Sequence, residues 1–110
     1  MKYLIKIALI SVTIFSSIAY ATEDYGKIEK IYITQSGSIA LKLFDGFPNA
    51  DAASECPTNI GWAGNLNADP SMIASLLSAK ASSTNVSLVI TGCDNNDKWF
   101  KITAVYIRQP

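Results

Sequence analysis

Apolar and polar residues alternate with a period of two along several stretches of the chain, which predicts β-strands with one buried face. The first predicted strand spans residues 27–34. Its Ile28 is out of phase with Ile31, and a bulge near Glu29 would return both side chains to one face. A turn and a second alternating stretch, 39–43, follow directly, so we expect these two strands to form a hairpin.

Three further strands are predicted beyond this hairpin. Residues 45–55 contain Gly, Pro and Asn without any period, which predicts a surface loop. The stretch 59–66 holds apolar residues between glycines and is read as a short third strand. Residues 86–90 and 99–107 alternate clearly, and the polar run 94–97 between them predicts a turn.

One helix is predicted between the third and fourth strands. Asp69 is a favourable N-cap, and Pro70 suits the first helical position because its missing N–H has no partner to lose there. An apolar stripe with helical spacing runs from Ile73 to Lys80. The residues 82–85 are poor helix formers and are expected to end the helix.

The predicted order of elements is β-β-β-α-β-β, and the fold class is therefore mainly β with one helix. Five short strands with a helix between the third and fourth match the OB-fold, a small five-stranded, partly open Greek-key barrel. An open five-stranded sheet with the helix packed on one face would give nearly the same pattern. We expect a single OB-like binding domain over residues 22–110.

The first 21 residues have the pattern of a bacterial export signal. Two lysines within residues 1–6 precede an apolar run at 7–18, and Ala19 and Ala21 are the small residues that a signal peptidase accepts. The apolar run is shorter than the roughly 20 residues that span a bilayer. The pattern predicts cleavage after Ala21, no membrane span in the processed chain, and a periplasmic or secreted location.

Cys56 and Cys93 are the two cysteines of the chain. Export would place them in an oxidising compartment, where paired thiols persist as disulfides, so a Cys56–Cys93 bond is predicted. Two free thiols or a metal-binding pair are the alternatives. A zinc site would lack ligands, because the sequence contains no histidine and no third cysteine.

Charge and composition argue against several function classes. Of nine basic and nine acidic residues, Lys2 and Lys6 would leave with the leader, and the remaining seven basic residues form no cluster. Nucleic-acid binding is therefore not expected. The absence of histidine removes the commonest general base, and Ser78 and Lys80 are two positions apart on a helix and face different directions. We expect no catalytic residue, no cofactor and no metal, and therefore no enzyme.

Four residues are the candidate ligand contacts. Trp62 and Trp99 carry indole rings that can stack on sugars, although aromatic residues in a small barrel often belong to the core. Asn95 and Asn96 lie beside Trp99 and supply polar groups. Residues 94–97 also offer oxygen ligands for calcium, but they lack the glycine and distal glutamate of a calcium loop, which favours an ordinary turn.

The architecture resembles that of the B subunits of pentameric bacterial AB-type toxins. The features shared are the exported small domain, the OB-like element order, the helix before strand 86–90, and a disulfide at the end of that strand. The stretches 72–81, 86–90 and 92–94 also resemble small exported bacterial proteins. The resemblance implies a homopentameric ring that binds cell-surface glycans and associates with an exported toxin A subunit. The alternative is a monomeric periplasmic interaction protein of the inhibitor or immunity type.

Overall fold

The structure is a computed structural model that describes residues 21–108. It is mainly β with one principal helix, as predicted. The elements in chain order are β1 (Thr22–Gly26), β2 (Ile28–Ile33), β3 (Ile39–Leu43), α1 (Pro48–Ala52), β4 (Trp62–Asn65), α2 (Pro70–Ser82), β5 (Asn85–Asp94) and β6 (Trp99–Arg108). The predicted leader, apart from its last residue, Ala21, lies outside the described residues.

All six strands belong to one mixed sheet with the order β1-β5-β6-β4-β3-β2. The neighbours pair antiparallel except β4 and β6, which run parallel. The prediction of five strands missed β1. The strands β1 and β2 lie at opposite ends of the sheet order, although Lys27 alone separates them in sequence.

The strand β1 escaped prediction because its inward position is occupied by an acid. Asp24 is 1% exposed. Its two carboxylate oxygens accept the backbone N–H groups of Asn49 and Ala50, each at 2.9 Å. These bonds satisfy a charge that would otherwise be costly to bury. An apolar alternation cannot reveal a strand whose buried residue is Asp.

The same contact explains the second correction, a helix inside the predicted loop 45–55. The helix α1 has Pro48 at its start, and its N-cap, Phe47, makes no side-chain bond. Asp24 caps it instead, from β1. Because this cap comes from a residue more than twenty positions away, no local sequence pattern predicts the helix.

The predicted bulge in β2 is confirmed. The register against β3 shifts between Ile28 and Lys30, which leaves Glu29 as the extra residue. Ile28 is buried, and Ile31 packs against the core from a half-buried position. The hairpin of β2 and β3 therefore forms as the alternation predicted.

The helix α2 begins and ends close to the predicted positions. The Asp69 carboxylate accepts the backbone N–H of Ser71 at 3.0 Å and also its hydroxyl. These two hydrogen bonds, the hydroxyl's first, lower the pKa of Asp69 below its ordinary value of 3.8. Leu76 and Ala79 are its buried residues, whereas Leu77 is 44% exposed, so the buried face is rotated from the predicted stripe.

The Cys56–Cys93 disulfide is present, with the two Cα atoms 5.1 Å apart. It connects the segment after α1 to β5 and leaves no free cysteine in the part of the chain described. Closing a loop of this length restricts the unfolded chain and stabilises the fold by roughly 4 kcal/mol. Within residues 21–108, no helix is long and apolar enough to cross a membrane.

Candidate functional site

The two tryptophans lie side by side on the outer face of the sheet. The parallel pairing of β4 and β6 places Trp62 opposite Trp99 and Ala63 opposite Phe100. Ala63 and Phe100 belong to the buried core cluster. Because successive side chains of a strand point to opposite faces, the indoles project away from that core.

Tyr32 joins them from the edge of the sheet. It pairs with Ala40 across β2 and β3, while the flanking Ile39 and Leu41 face the core. Together with Ile60, these outward residues line one open cavity of about 210 Å³. We call this cavity the aromatic cleft, and its lining residues are Tyr32, Ala40, Ile60, Trp62 and Trp99.

Small residues form the floor of the aromatic cleft. Ala40 is fully buried beneath it and pairs with Gly64 of β4. A Cβ on Gly64 would lie 2.9 Å from Cε3 of Trp99 and 2.2 Å from the carbonyl oxygen of Ile39. Only glycine therefore lets the indole of Trp99 lie against the sheet, where it is 7% exposed.

The remaining walls present apolar surface to solvent. Tyr32 is 52% exposed and Ile60 is 59% exposed, while Trp62 is half-buried. The backbone N–H of Ile60 donates to the carbonyl oxygen of Lys98 at 2.9 Å, which fixes the segment before β4 against the start of β6. Four of the five lining residues of the aromatic cleft thus lie on strands, and the fifth, Ile60, is held by this backbone bond.

A lysine lies at the rim of the aromatic cleft. Nζ of Lys42 is 5.2 Å from the centre of the Trp62 ring, within the range of a cation–π contact. Lys30 is directly opposite Lys42 across β2 and β3. Like charges at opposed strand positions repel each other, so this pair costs some stability at the edge of the sheet.

The predicted contacts Asn95 and Asn96 lie outside the lining of the aromatic cleft. They form the turn between β5 and β6 with φ values of 54° and 56°, and Asp97 follows at 64°. Asparagine and aspartate tolerate this left-handed geometry better than most residues, which accounts for the polar run. A ligand contact by Asn95 or Asn96 stays a prediction.

Sequence reasoning identified the two tryptophans but missed their neighbours. In the alternation of residues 27–34, Tyr32 falls on the face opposite Ile31 and Ile33, and this was the available signal for it. Ile60 and Gly64 gave none, because their positions depend on how β3, β4 and β6 align. The cleft is a product of strand register more than of any local motif.

The described residues contain no cluster of three or more His, Cys, Asp or Glu side chains arranged to hold a metal ion. The lining of the aromatic cleft is almost entirely apolar and offers mainly ring faces. Ring faces can stack on a flat apolar surface of a ligand. Comparison of the chain with protein-family models, curated proteins and solved structures gave no significant match.

Proposed function

We propose that this protein is a secreted, non-enzymatic binding domain whose aromatic cleft takes a sugar ring of a cell-surface glycan. The observation that carries the proposal is the meeting of Tyr32, Trp62 and Trp99 on one face of the sheet. A sugar ring presents C–H groups on its faces and hydroxyl groups at its edges. The ring faces that line the aromatic cleft suit the C–H faces of a sugar, and the open side of the cleft leaves the sugar hydroxyl groups in solvent.

The size of the aromatic cleft supports binding of a single ring. Its volume of about 210 Å³ is below the roughly 300–1,000 Å³ of sites that enclose a drug-sized molecule. One ring in an open cleft binds weakly, and several copies in a ring-shaped oligomer would raise the overall affinity without new contacts. The proposal therefore includes the homopentamer, with an exported toxin A subunit as partner, that the resemblance implies.

The fold proposed with this function is an OB-like barrel. In it, β1 and β2 are two halves of one bent strand, with Lys27 at the bend. The support is that these strands end the sheet on opposite sides while a single residue joins them. Counting them as one strand gives five strands, with α2 between the third and fourth.

The proposed location is the periplasm or the exterior of a bacterial cell. The leader pattern of residues 1–21 supports it. The Cys56–Cys93 bond adds to this, because disulfides persist in oxidising compartments.

A second candidate is a monomeric interaction protein of the inhibitor or immunity type. The high exposure of Ile60 and Tyr32 favours it, because apolar surface next to aromatic rings is also typical of protein-binding patches. In this case the aromatic cleft would receive a side chain of another exported protein.

A glycan array separates the two candidates. The protein, exported through its own leader and purified, is applied beside Trp62→Ala and a control, Tyr106→Ala, which removes an exposed ring outside the aromatic cleft. The proposal expects binding to glycans that share one terminal sugar, lost in Trp62→Ala and kept in Tyr106→Ala. An array without binding, together with a monomer in light scattering, contradicts it and favours the second candidate.

A further inference from the structure

The first strand begins at the residue that follows the predicted cleavage point. Thr22 opens β1 and pairs with Ile90 of β5. Its hydroxyl lies 3.4 Å from Oε2 of Glu55 and 3.5 Å from the carbonyl oxygen of Ile90. If the leader is removed after Ala21, the new terminus starts inside the sheet, beside a carboxylate.

Glu55 connects three segments of the fold. It precedes Cys56 of the disulfide, and its Oε1 accepts the backbone N–H of Gly92 at 2.9 Å. Its second oxygen, Oε2, is the one that faces Thr22. The half-buried carboxylate therefore lies between the start of β1 and the irregular part of β5.

The charged groups of the elements around Thr22 are all carboxylates. They are Glu23 and Asp24 on β1, Asp51 on α1, Asp94 on β5, and Glu55 itself. The side chain of Asp24 is bonded to α1, and that of Asp94 accepts the N–H groups of Leu66 and Asn95. Neither β1, α1, β5 nor the segment 53–61 contains Lys or Arg.

We propose that leader removal creates the cation that pairs with Glu55. A signal peptidase hydrolyses the Ala21–Thr22 bond with water, which leaves a carboxylate on Ala21 and an ammonium group on Thr22. The Thr22 hydroxyl is 3.4 Å from Oε2 of Glu55, so standard bond lengths place this nitrogen within about 7 Å of the carboxylate, where opposite charges attract. In the unprocessed chain the Thr22 nitrogen belongs to a peptide bond and carries no charge.

The consequence is a domain whose stability is completed by processing. Before export the chain has neither the disulfide nor the ion pair. After export it gains both, and they meet at adjacent residues, Glu55 and Cys56. This inference depends on cleavage after Ala21 and is independent of what the aromatic cleft binds.

The composition of the chain makes the ion pair measurable by pH. The sequence has no histidine, and both cysteines are in the disulfide. Side-chain carboxyl groups ordinarily titrate near pH 4 and Tyr and Lys near pH 10, so the α-amino group, with an ordinary pKa of about 8, is alone in the window between. Pairing raises its pKa in the folded state. The added stability is present below about pH 8 and is lost as pH rises through the raised pKa.

The test follows melting temperature from pH 6.5 to 9.5 for the protein exported through its own leader. Intact mass first gives the terminus, which must be Thr22. We expect the melting temperature to fall by about 2 to 6 °C across this range. Glu55→Gln should abolish the fall, whereas the control Glu23→Gln, one position along β1, should keep it.

A second variant keeps Glu55 and moves the ammonium group. Two serines inserted between Ala21 and Thr22 displace the new terminus by about 7 Å along the chain, and the pH-dependent fall should disappear. A different terminus, a fall that persists in this variant, or a flat profile for the unmodified protein would each overturn the proposal. If Glu55→Gln fails to fold, the insertion decides the question.

Discussion

The indole of Trp99 lies against the backbone of Gly64, so close that a Cβ at residue 64 would be 2.9 Å from Cε3 of the ring. This contact joins β4 to β6 on the outer face and sets the depth of the aromatic cleft. A larger residue at position 64 would push the ring outward into the aromatic cleft.

The first prediction concerns this contact. Gly64→Ala forces the backbone of β3 or the ring of Trp99 to move, because the added Cβ would also lie 2.2 Å from the carbonyl oxygen of Ile39. We expect a loss of about 1–3 kcal/mol in unfolding free energy and a changed tryptophan emission. Urea denaturation followed by fluorescence measures both. An unchanged midpoint and spectrum would show that the packing is looser than described.

Lys42 should affect binding more than stability. Lys42→Gln removes the cation–π contact with Trp62, worth about 0.5–1 kcal/mol, and relieves repulsion from Lys30 of similar size. The two effects oppose each other, so unfolding free energy should change by less than about 0.5 kcal/mol. Affinity for any array ligand should fall, as measured by titration calorimetry. A large loss of stability with affinity intact would contradict the assignment of Lys42 to the rim.

Substitution of Asp24 should lower the unfolding free energy more than substitution of an exposed acidic residue. Asp24→Ala leaves the N–H groups of Asn49 and Ala50 without their acceptor and removes the cap of α1. We expect a loss of about 3 kcal/mol, since a hydrogen bond to a charged group contributes about 1.5–3. Asp45→Ala, at an exposed position, is the matched control and should change stability little. Equal effects in the two variants, measured by chemical denaturation, would contradict this account of β1 and α1.

The first turn of α2 should become less stable at acidic pH. Hydrogen bonds from Ser71 lower the pKa of Asp69, so the carboxylate's contribution to stability is present above its unfolded pKa and is lost as pH falls through the folded value. Asp69→Asn retains a capping side chain without a titrating group. Helicity followed by circular dichroism should therefore decline less between pH 5 and pH 2 in this variant. Parallel profiles would exclude a role for Asp69.

The elements that the sequence predicted correctly are those with a local signal. The alternation of β2 and β3, the bulge at Glu29 and the capped start of α2 are all carried by neighbouring residues. In contrast, β1 and α1 depend on Asp24 meeting Asn49 and Ala50 across the fold. A periodic pattern in the sequence cannot predict a hydrogen bond between residues that are far apart in the chain.

The same division applies to the candidate site. Trp62 and Trp99 could be selected as single residues, because indole rings are chemically suited to stacking. That they meet follows from the parallel register of β4 and β6, and Tyr32 joins them through its pairing with Ala40. Registers that link distant strands are set by the assembled sheet, so the cleft could be recognised only in the structure.

The most direct test of the binding proposal uses the two indole N–H signals in a nitrogen-edited NMR spectrum. Since Trp62 and Trp99 are the two tryptophans of the chain, Trp62→Ala assigns both signals. Titration with the terminal sugar identified on the array should shift both signals with one common dissociation constant, and the variant should show no binding. A sugar that binds while both indole signals stay in place would contradict the aromatic cleft as the ligand site.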